Sequence, residues 1–186
     1  EKLPAGWVKQ EDGSWKYRTL QGYVESRWLK LGRNWWYFNE DGRMHTGWFL
    51  YGNRWYYRYP DGTYLKNGWG FIGNIWYLFD ANGMMLTGWQ MKNGVYYYMN
   101  GDGKMQTGWL LYNNTWYYLS ESGAMVTGWI TLGDKAYYLG GDGGMLTGWQ
   151  NIDGQIYYLY PDGHKAVNEV IDTFYLDQDG IWRKPQ

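Results

Sequence analysis

The sequence predicts an all-β solenoid of stacked two-stranded β-hairpins, with about 20 residues per repeat. Three observations carry that prediction. Tryptophan recurs at Trp7, Trp28, Trp48, Trp69, Trp89, Trp109, Trp129 and Trp149, at spacings of 20 or 21, and follows a glycine everywhere except at Trp28. With this tryptophan as position zero, positions +4 and +5 hold Gly52-Asn53, Gly73-Asn74, Asn93-Gly94, Asn113-Asn114, Gly133-Asp134 and Asp153-Gly154. Such pairs tolerate positive φ and make two-residue hairpin turns. A glycine at +14, from Gly42 and Gly62 through Gly163, usually follows Asp or Asn and marks the loop to the next hairpin.

A turn at +4 and +5 sets the faces. Position zero then opposes +9 and +2 opposes +7, and opposed residues of antiparallel strands share a face. In the repeat starting at Trp109, one face carries Trp109, Leu111, Trp116 and Tyr118, and the other carries Leu110, Tyr112 and Tyr117. Both faces are apolar, and an isolated hairpin is marginal in water, so each must be covered by its neighbours. Aromatics are 22% of the chain and long aliphatic runs are missing, which predicts a core made of rings. The tyrosines at +8 and +9, such as Tyr117, Tyr118, Tyr137 and Tyr138, read as that packing.

Residues 1–27 form an irregular first repeat with Trp15 at +8 and a loop longer by one residue. Residues 28–167 are regular repeats. In 168–186, Asn168-Glu169 stands where Gly-Trp is expected, and the segment is three residues short, as a capping repeat would be. The whole is predicted to be one continuous module. A start at Glu1 suggests a mature or excised piece of a longer protein.

Composition excludes several functions. A net charge of -1 with mixed signs builds no field for nucleic acid, and no run of about 18 apolar residues exists to enter a membrane. The chain has no cysteine, hence no disulfide and no thiolate zinc site. His45 and His164 sit in loops without a triad and read as solvated. Glu11-Asp12 and Glu40-Asp41 lie at turns with no pocket to split their pKa values. Asp80-Ala81-Asn82-Gly83 and Asp177-Gln178-Asp179-Gly180 faintly resemble calcium loops but lack the downstream glutamate, so they read as turns. No catalytic residue, cofactor or metal is predicted.

What remains is a ring arrangement. Trp at zero and Trp at +7 share a face, and the next leading Trp supplies a third wall. Three rings around a small void attract a quaternary ammonium ion, whose charge meets the negative ring faces and which demands no hydrogen bonds. Methionine four residues before the next leading Trp, at Met44, Met85, Met105, Met125 and Met145, serves equally well as polarisable floor or as core filling.

The pattern of Gly-Trp, then Trp-Tyr-Tyr, then Asp-Gly, Met and Thr-Gly-Trp, repeated from Trp28 to Trp149, resembles the choline-binding repeats of Gram-positive bacterial and phage cell-wall proteins. The resemblance implies a left-handed superhelix of hairpins with choline of teichoic acids bound between consecutive ones. It also implies a secreted, cell-surface or cell-wall location, non-covalent attachment of a larger surface protein or murein hydrolase, and no catalysis by the repeats themselves. The partners implied are choline or phosphorylcholine of teichoic and lipoteichoic acids. The sequence does not separate these two ligands, because it places no basic residue to meet the phosphate.

Carried over residue by residue, the resemblance gives complete sets at Trp28, Trp35 and Trp48, at Trp69, Trp76 and Trp89, and at Trp109, Trp116 and Trp129. Trp89, Tyr96 and Trp109 exchange one ring for another. Trp48, Trp55 and Trp69 are complete in rings, but Tyr64 stands near the methionine position and a residue is inserted, which leaves the floor of that set open. Weaker members are Trp7, Trp15, Met145 and Trp149. Ala136 replaces the +7 ring between Trp129 and Trp149, which predicts a weakened site, and Ile156 does so after Trp149, which predicts none. The alternative is a carbohydrate-binding array like the related repeats of glucan-binding enzymes and clostridial toxins, to which the seventh and eighth repeats look closer.

Overall fold

A computed structural model describes residues 4–183, so residues 1–3 of the predicted first repeat and 184–186 of the predicted cap lie outside it. The chain divides between Leu86 and Thr87 into two compact units, each considered by itself. The first opens with a three-stranded antiparallel sheet of β1 (Gly6–Lys9), β2 (Trp15–Thr19) and β3 (Gly22–Tyr23). Three hairpins follow: β4 (Arg27–Leu31) with β5 (Asn34–Phe38), β6 (Gly47–Tyr51) with β7 (Arg54–Arg58), and β8 (Gly68–Ile72) with β9 (Ile75–Phe79). The second unit holds five hairpins. These are β10 (Gly88–Lys92) with β11 (Val95–Met99), β12 (Gly108–Tyr112) with β13 (Thr115–Leu119), β14 (Gly128–Leu132) with β15 (Lys135–Leu139), β16 (Gly148–Ile152) with β17 (Gln155–Leu159), and β18 (Glu169–Ile171) with β19 (Phe174–Leu176).

The predicted register is observed. Trp109 opposes Tyr118, Leu111 opposes Trp116, and the other full hairpins repeat this pairing. Asn113 and Asn114 both take positive φ in the turn, whereas in Gly133-Asp134 only the glycine does, as a glycine-first hairpin turn requires. In the first sheet the extra residue lies wholly inside the turn. Gln10 N–H donates to the Ser14 carbonyl across Glu11-Asp12-Gly13, and Trp15 opposes Lys9. Trp15 is therefore the counterpart of +7 in later repeats. Strand β3, paired with β2, adds a third strand to the hairpin that the sequence predicts.

The 21-residue spacings also have a cause. Most repeats enter their first strand through a left-handed glycine at position -1, such as Gly108 with φ 74. Before Trp28, Trp69 and Val170 an added residue, Ser26, Asn67 or Asn168, takes positive φ instead. Each donates its N–H to the loop of its own hairpin, at the carbonyls of Asn39, Asp80 and Asp177. Arg27 can therefore stand where other repeats need glycine. The same shift corrects the last repeat: Glu169 pairs with Leu176 and Val170 with Tyr175, so Val170, not Glu169, occupies position zero. This hairpin turns at Asp172-Thr173 after three pairs and has no +2 or +7.

Beside the packed rings, the innermost residues form a column that is mostly not aromatic. Phe38, Phe79, Met99, Leu119, Leu139, Leu159 and Leu176, all at +10 or its counterpart, are 0–2% exposed. This position ends the second strand opposite the residue at -1, which is usually a glycine without a side chain. The following loop folds back on it, pairing +10 with +16, as in Leu119 with Met125. The N–H at +16 then donates to the +7 carbonyl of the preceding hairpin, Met125 to Tyr96 at 2.8 Å, Met145 to Trp116 at 2.7 Å and Met85 to Trp55 at 2.8 Å. Its side chain reaches the next loop, where a Cβ on Gly143 would overlap the Met125 sulfur.

Gly143 combines φ 83 with that close approach. Gly143→Ala should therefore destabilise the second unit by roughly 2 kcal/mol. Gly141→Ala, in open space in the same loop, should change stability by less than about 0.5 kcal/mol. Denaturant midpoints of the two variants check this.

Candidate functional site

The leading tryptophan and the +7 ring meet edge to face, with nearly constant geometry. Ring centroids lie 6.4 Å apart at 89° for Trp7 and Trp15, 6.4 Å at 85° for Trp48 and Trp55, 6.2 Å at 84° for Trp69 and Trp76, and 6.3 Å at 86° for Trp109 and Trp116. Antiparallel pairing sets this. Zero and +7 lie on one face and diagonal to each other, within reach of long aromatic side chains. Trp7, Trp55, Trp76, Trp109 and Trp116 keep 36–44% of their surface in water, so Trp109 with Trp116 presents two nearly perpendicular rings to solvent, and the other pairs present one such ring beside a more buried partner.

The leading ring is also held from the other side. It packs edge to face on the +8 ring of the following hairpin: Trp7 on Trp36 at 4.7 Å, Trp48 on Tyr77 at 4.7 Å, Trp89 on Tyr117 at 5.0 Å, Trp109 on Tyr137 at 5.1 Å and Trp129 on Tyr157 at 5.0 Å. The +9 ring of its own hairpin closes a third side, as Tyr118 does at 5.2 Å from Trp109. The +8 and +9 tyrosines are thus packing residues. Among the described residues, Trp129 makes no ring contact with Trp109 or Trp116, so the third ring is separated from the pair. Trp89, the third ring predicted for Trp69 and Trp76, belongs to the second unit.

Two repeats are arranged differently. Among the described residues Trp28 makes no edge contact with Trp35, nor Trp89 with Tyr96. Instead each leading ring meets a tyrosine at +3 of the next hairpin, Trp28 with Tyr51 at 5.1 Å and Trp89 with Tyr112 at 6.2 Å. These are the only repeats followed by tyrosine at +3, a signal present in the sequence. Beside Trp28 a cleft of about 560 Å³ opens, walled by Trp28, Trp35, Tyr51, Tyr56 and Tyr64, with Arg33 and Lys66 also lining it.

Under Tyr64 lies Arg58, which takes the +10 core position and is 1% exposed. Its guanidinium stacks 4.0 Å from the Tyr64 ring and 4.6 Å from Trp36, and Nη2 donates to the Trp35 carbonyl at 2.7 Å. The Tyr64 hydroxyl donates to the same carbonyl at 3.0 Å, so two side chains serve the carbonyl that a +16 N–H serves in other repeats. Burial pushes the Arg58 pKa below its ordinary value and the Tyr64 pKa above its own.

The repeat starting at Trp129 lacks its +7 ring and carries an internal cation. Lys165 replaces methionine at +16 of the following repeat, and its Nζ lies 5.1 Å from the Trp129 ring centroid and 5.8 Å from that of Tyr157. The same ammonium donates to the Asp179 carbonyl at 2.7 Å. Trp149 packs on Phe174 of the short final hairpin at 5.6 Å, and Trp182 takes the last +16 place. Met105, Met125 and Met145 lie under the glycines of the next loops, and Met44 is in the core of the first unit.

The polar residues set aside from the sequence are occupied by local structure. Asp80 Oδ1 accepts the N–H groups of Asn82 and Met84, and Asp177 Oδ1 those of Asp179 and Ile181. Asp12 and Asp41 both pair with Arg43. Hydrogen bonds from the Ser14 hydroxyl and N–H, with Arg43 adding, hold the Asp12 pKa at about 2. The histidines are less free than expected: His45 bonds Asn39 and the Trp48 carbonyl, and His164 bonds Asp162 and stacks on Tyr160.

Comparison with known proteins gives one family. A model of the choline-binding repeat matches residues 24–69, 86–127, 107–146 and 126–169, and a second model, of cell wall binding repeats, matches 67–85. Among solved structures, choline binding protein F from Streptococcus pneumoniae is 36% identical over 91% of this chain and 61% of its own, with a TM-score of 0.79. CbpJ from Streptococcus pneumoniae TIGR4 is 32% identical over 98% of this chain and 72% of its own, with a TM-score of 0.82. The choline-binding domain of CbpL from Streptococcus pneumoniae is 33% identical over 99% of this chain and all of its own, with a TM-score of 0.68. The chain spans less than two thirds of choline binding protein F. No curated protein matches the sequence. The matches are to binding repeats, and the chain belongs to the choline-binding repeat family.

Proposed function

We propose that this chain attaches non-covalently to the bacterial cell wall by holding choline groups of teichoic and lipoteichoic acids against its paired rings, as the targeting module of a larger surface protein or murein hydrolase. One observation carries the reading: the fold does not need the +7 ring. At Ala136 the hairpin keeps its full register, and Trp129 still packs on Tyr157 at 5.0 Å. Repeats that keep a half-exposed tryptophan at +7 therefore keep it for something other than folding. Two perpendicular electron-rich faces suit a trimethylammonium ion, which sheds its weak hydration easily. The residues proposed to touch it are Trp7 and Trp15, Trp48 and Trp55, and Trp109 and Trp116, each pair with the next leading tryptophan of its unit as third wall, and Trp69 with Trp76 as a pair of rings. Trp28 with Trp35, and Trp89 with Tyr96, act through their +3 tyrosine neighbours.

The +16 backbone bond suggests which methionine belongs where: Met145 beside Trp116, Met125 beside Tyr96 and Met85 beside Trp55. A single site of this kind is weak, with a Kd on the order of 1 mM. Firm attachment comes from several sites engaging one polymer. The surface location follows from that partner.

The purified chain should be retained on a tertiary-amine resin and eluted by free choline; flow-through, or elution unaffected by choline, contradicts the reading. In a choline titration Trp116→Ala should lose one equivalent and leave the rest unchanged. Ala136→Trp alone should gain none, because Lys165 already places an ammonium over Trp129. Ala136→Trp with Lys165→Met should gain one.

A further inference from the structure

The cleft beside Trp28 differs from the paired-ring sites in size and in charge. At about 560 Å³ it falls within the range of sites for whole small molecules, roughly 300–1,000 Å³. Arg33 and Lys66 line it, both exposed, and neither forms an ion pair among the described residues. Among the described residues no Asp or Glu lines it. Lys30 Nζ stands 5.9 Å from the Trp35 ring centroid, and Arg58 lies under Tyr64 with no carboxylate partner among the described residues. A bare cation would meet ring faces there but also several like charges, which oppose its binding. A ligand carrying its own anion would not.

We propose that this cleft takes a phosphorylcholine group as a zwitterion, its trimethylammonium against Trp28 and Tyr51 and its phosphate toward Arg33 and Lys66. The inference rests on the choline reading above and deepens it. The paired tryptophans accept the cation alone, whereas this cleft recognises cation and phosphate together. Guanidinium and ammonium donors make charge-assisted hydrogen bonds to phosphate oxygens, and the Asn34 and Asn82 amides that also line the cleft add neutral donors. The basic residues come from separate places in the first unit, the β4–β5 turn and the loop after β7, and only folding brings them to one cleft.

Calorimetric titration of the whole chain with choline, phosphorylcholine and inorganic phosphate tests this. Phosphorylcholine should fill one more site than choline, and inorganic phosphate alone should not bind there at the same concentrations. The double variant Arg33→Gln, Lys66→Gln should bind phosphorylcholine about tenfold more weakly at that site and free choline more strongly, a reversal that general damage to the fold would not produce. Equal stoichiometry for both ligands with parallel or no change in the variant overturns the proposal and leaves the paired-ring sites standing. If neither choline ligand binds, the choline reading falls with it. Inorganic phosphate binding as well as phosphorylcholine would make the cleft a simple anion site and also overturn the proposal. Phosphatidylcholine vesicles present the same headgroup in a membrane. The chain should not sediment with them, and sedimentation would overturn the assignment to a soluble or polymer-bound group.

Discussion

Within the two units, five hairpins are joined to the next through a leading tryptophan, whose ring meets the +8 ring of the following hairpin edge to face at about 5 Å. A twenty-residue hairpin with two apolar faces cannot hold itself together in water. The tryptophan is large enough to reach out of its own strand pair, and a left-handed residue just before the strand, glycine or an added Ser or Asn, aims the chain so that it does. The +10 column and the +16 backbone bond then close the space behind it.

The same contact produces the surface that matters. The leading ring is held on several sides without being covered, so the residue that binds the stack together also presents about a third of its surface to solvent at Trp109 and Trp129. A +7 tryptophan beside it adds a second face at nearly a right angle. Binding capacity can therefore be set repeat by repeat. Changing +7 to Ala136 or the +16 residue to Lys165 alters one site without altering the hairpin, whereas changing the leading tryptophan would touch both stack and site.

Much of this is legible in the sequence because it is periodic. Turn residues at fixed offsets fix the register, and the register places zero and +7 on one face. What escaped depends on where the chain goes between hairpins. The buried +10 residues, Leu119 or Met99, look unremarkable in a strand dominated by neighbouring rings, and only the fold-back that pairs +10 with +16 buries them. Trp15 stands at +8 in the sequence because its extra residue lies inside the turn. The register of Val170 depended on Asn168 taking the left-handed step. Arg33 and Lys66 lie 33 residues apart with no shared motif. Their common cleft arises from the stacking itself, not from any periodicity.

The half-exposed ring pairs are proposed to be held open for a cation. The most direct test compares choline with 3,3-dimethylbutan-1-ol, a neutral molecule of the same shape, by tryptophan fluorescence of the whole chain. Choline should saturate the signal at millimolar concentration, and the neutral isostere should bind about tenfold more weakly or not at all, since it loses the cation–π attraction and keeps only apolar contact. Equal binding of the two would show that the rings recognise shape alone and would contradict the account.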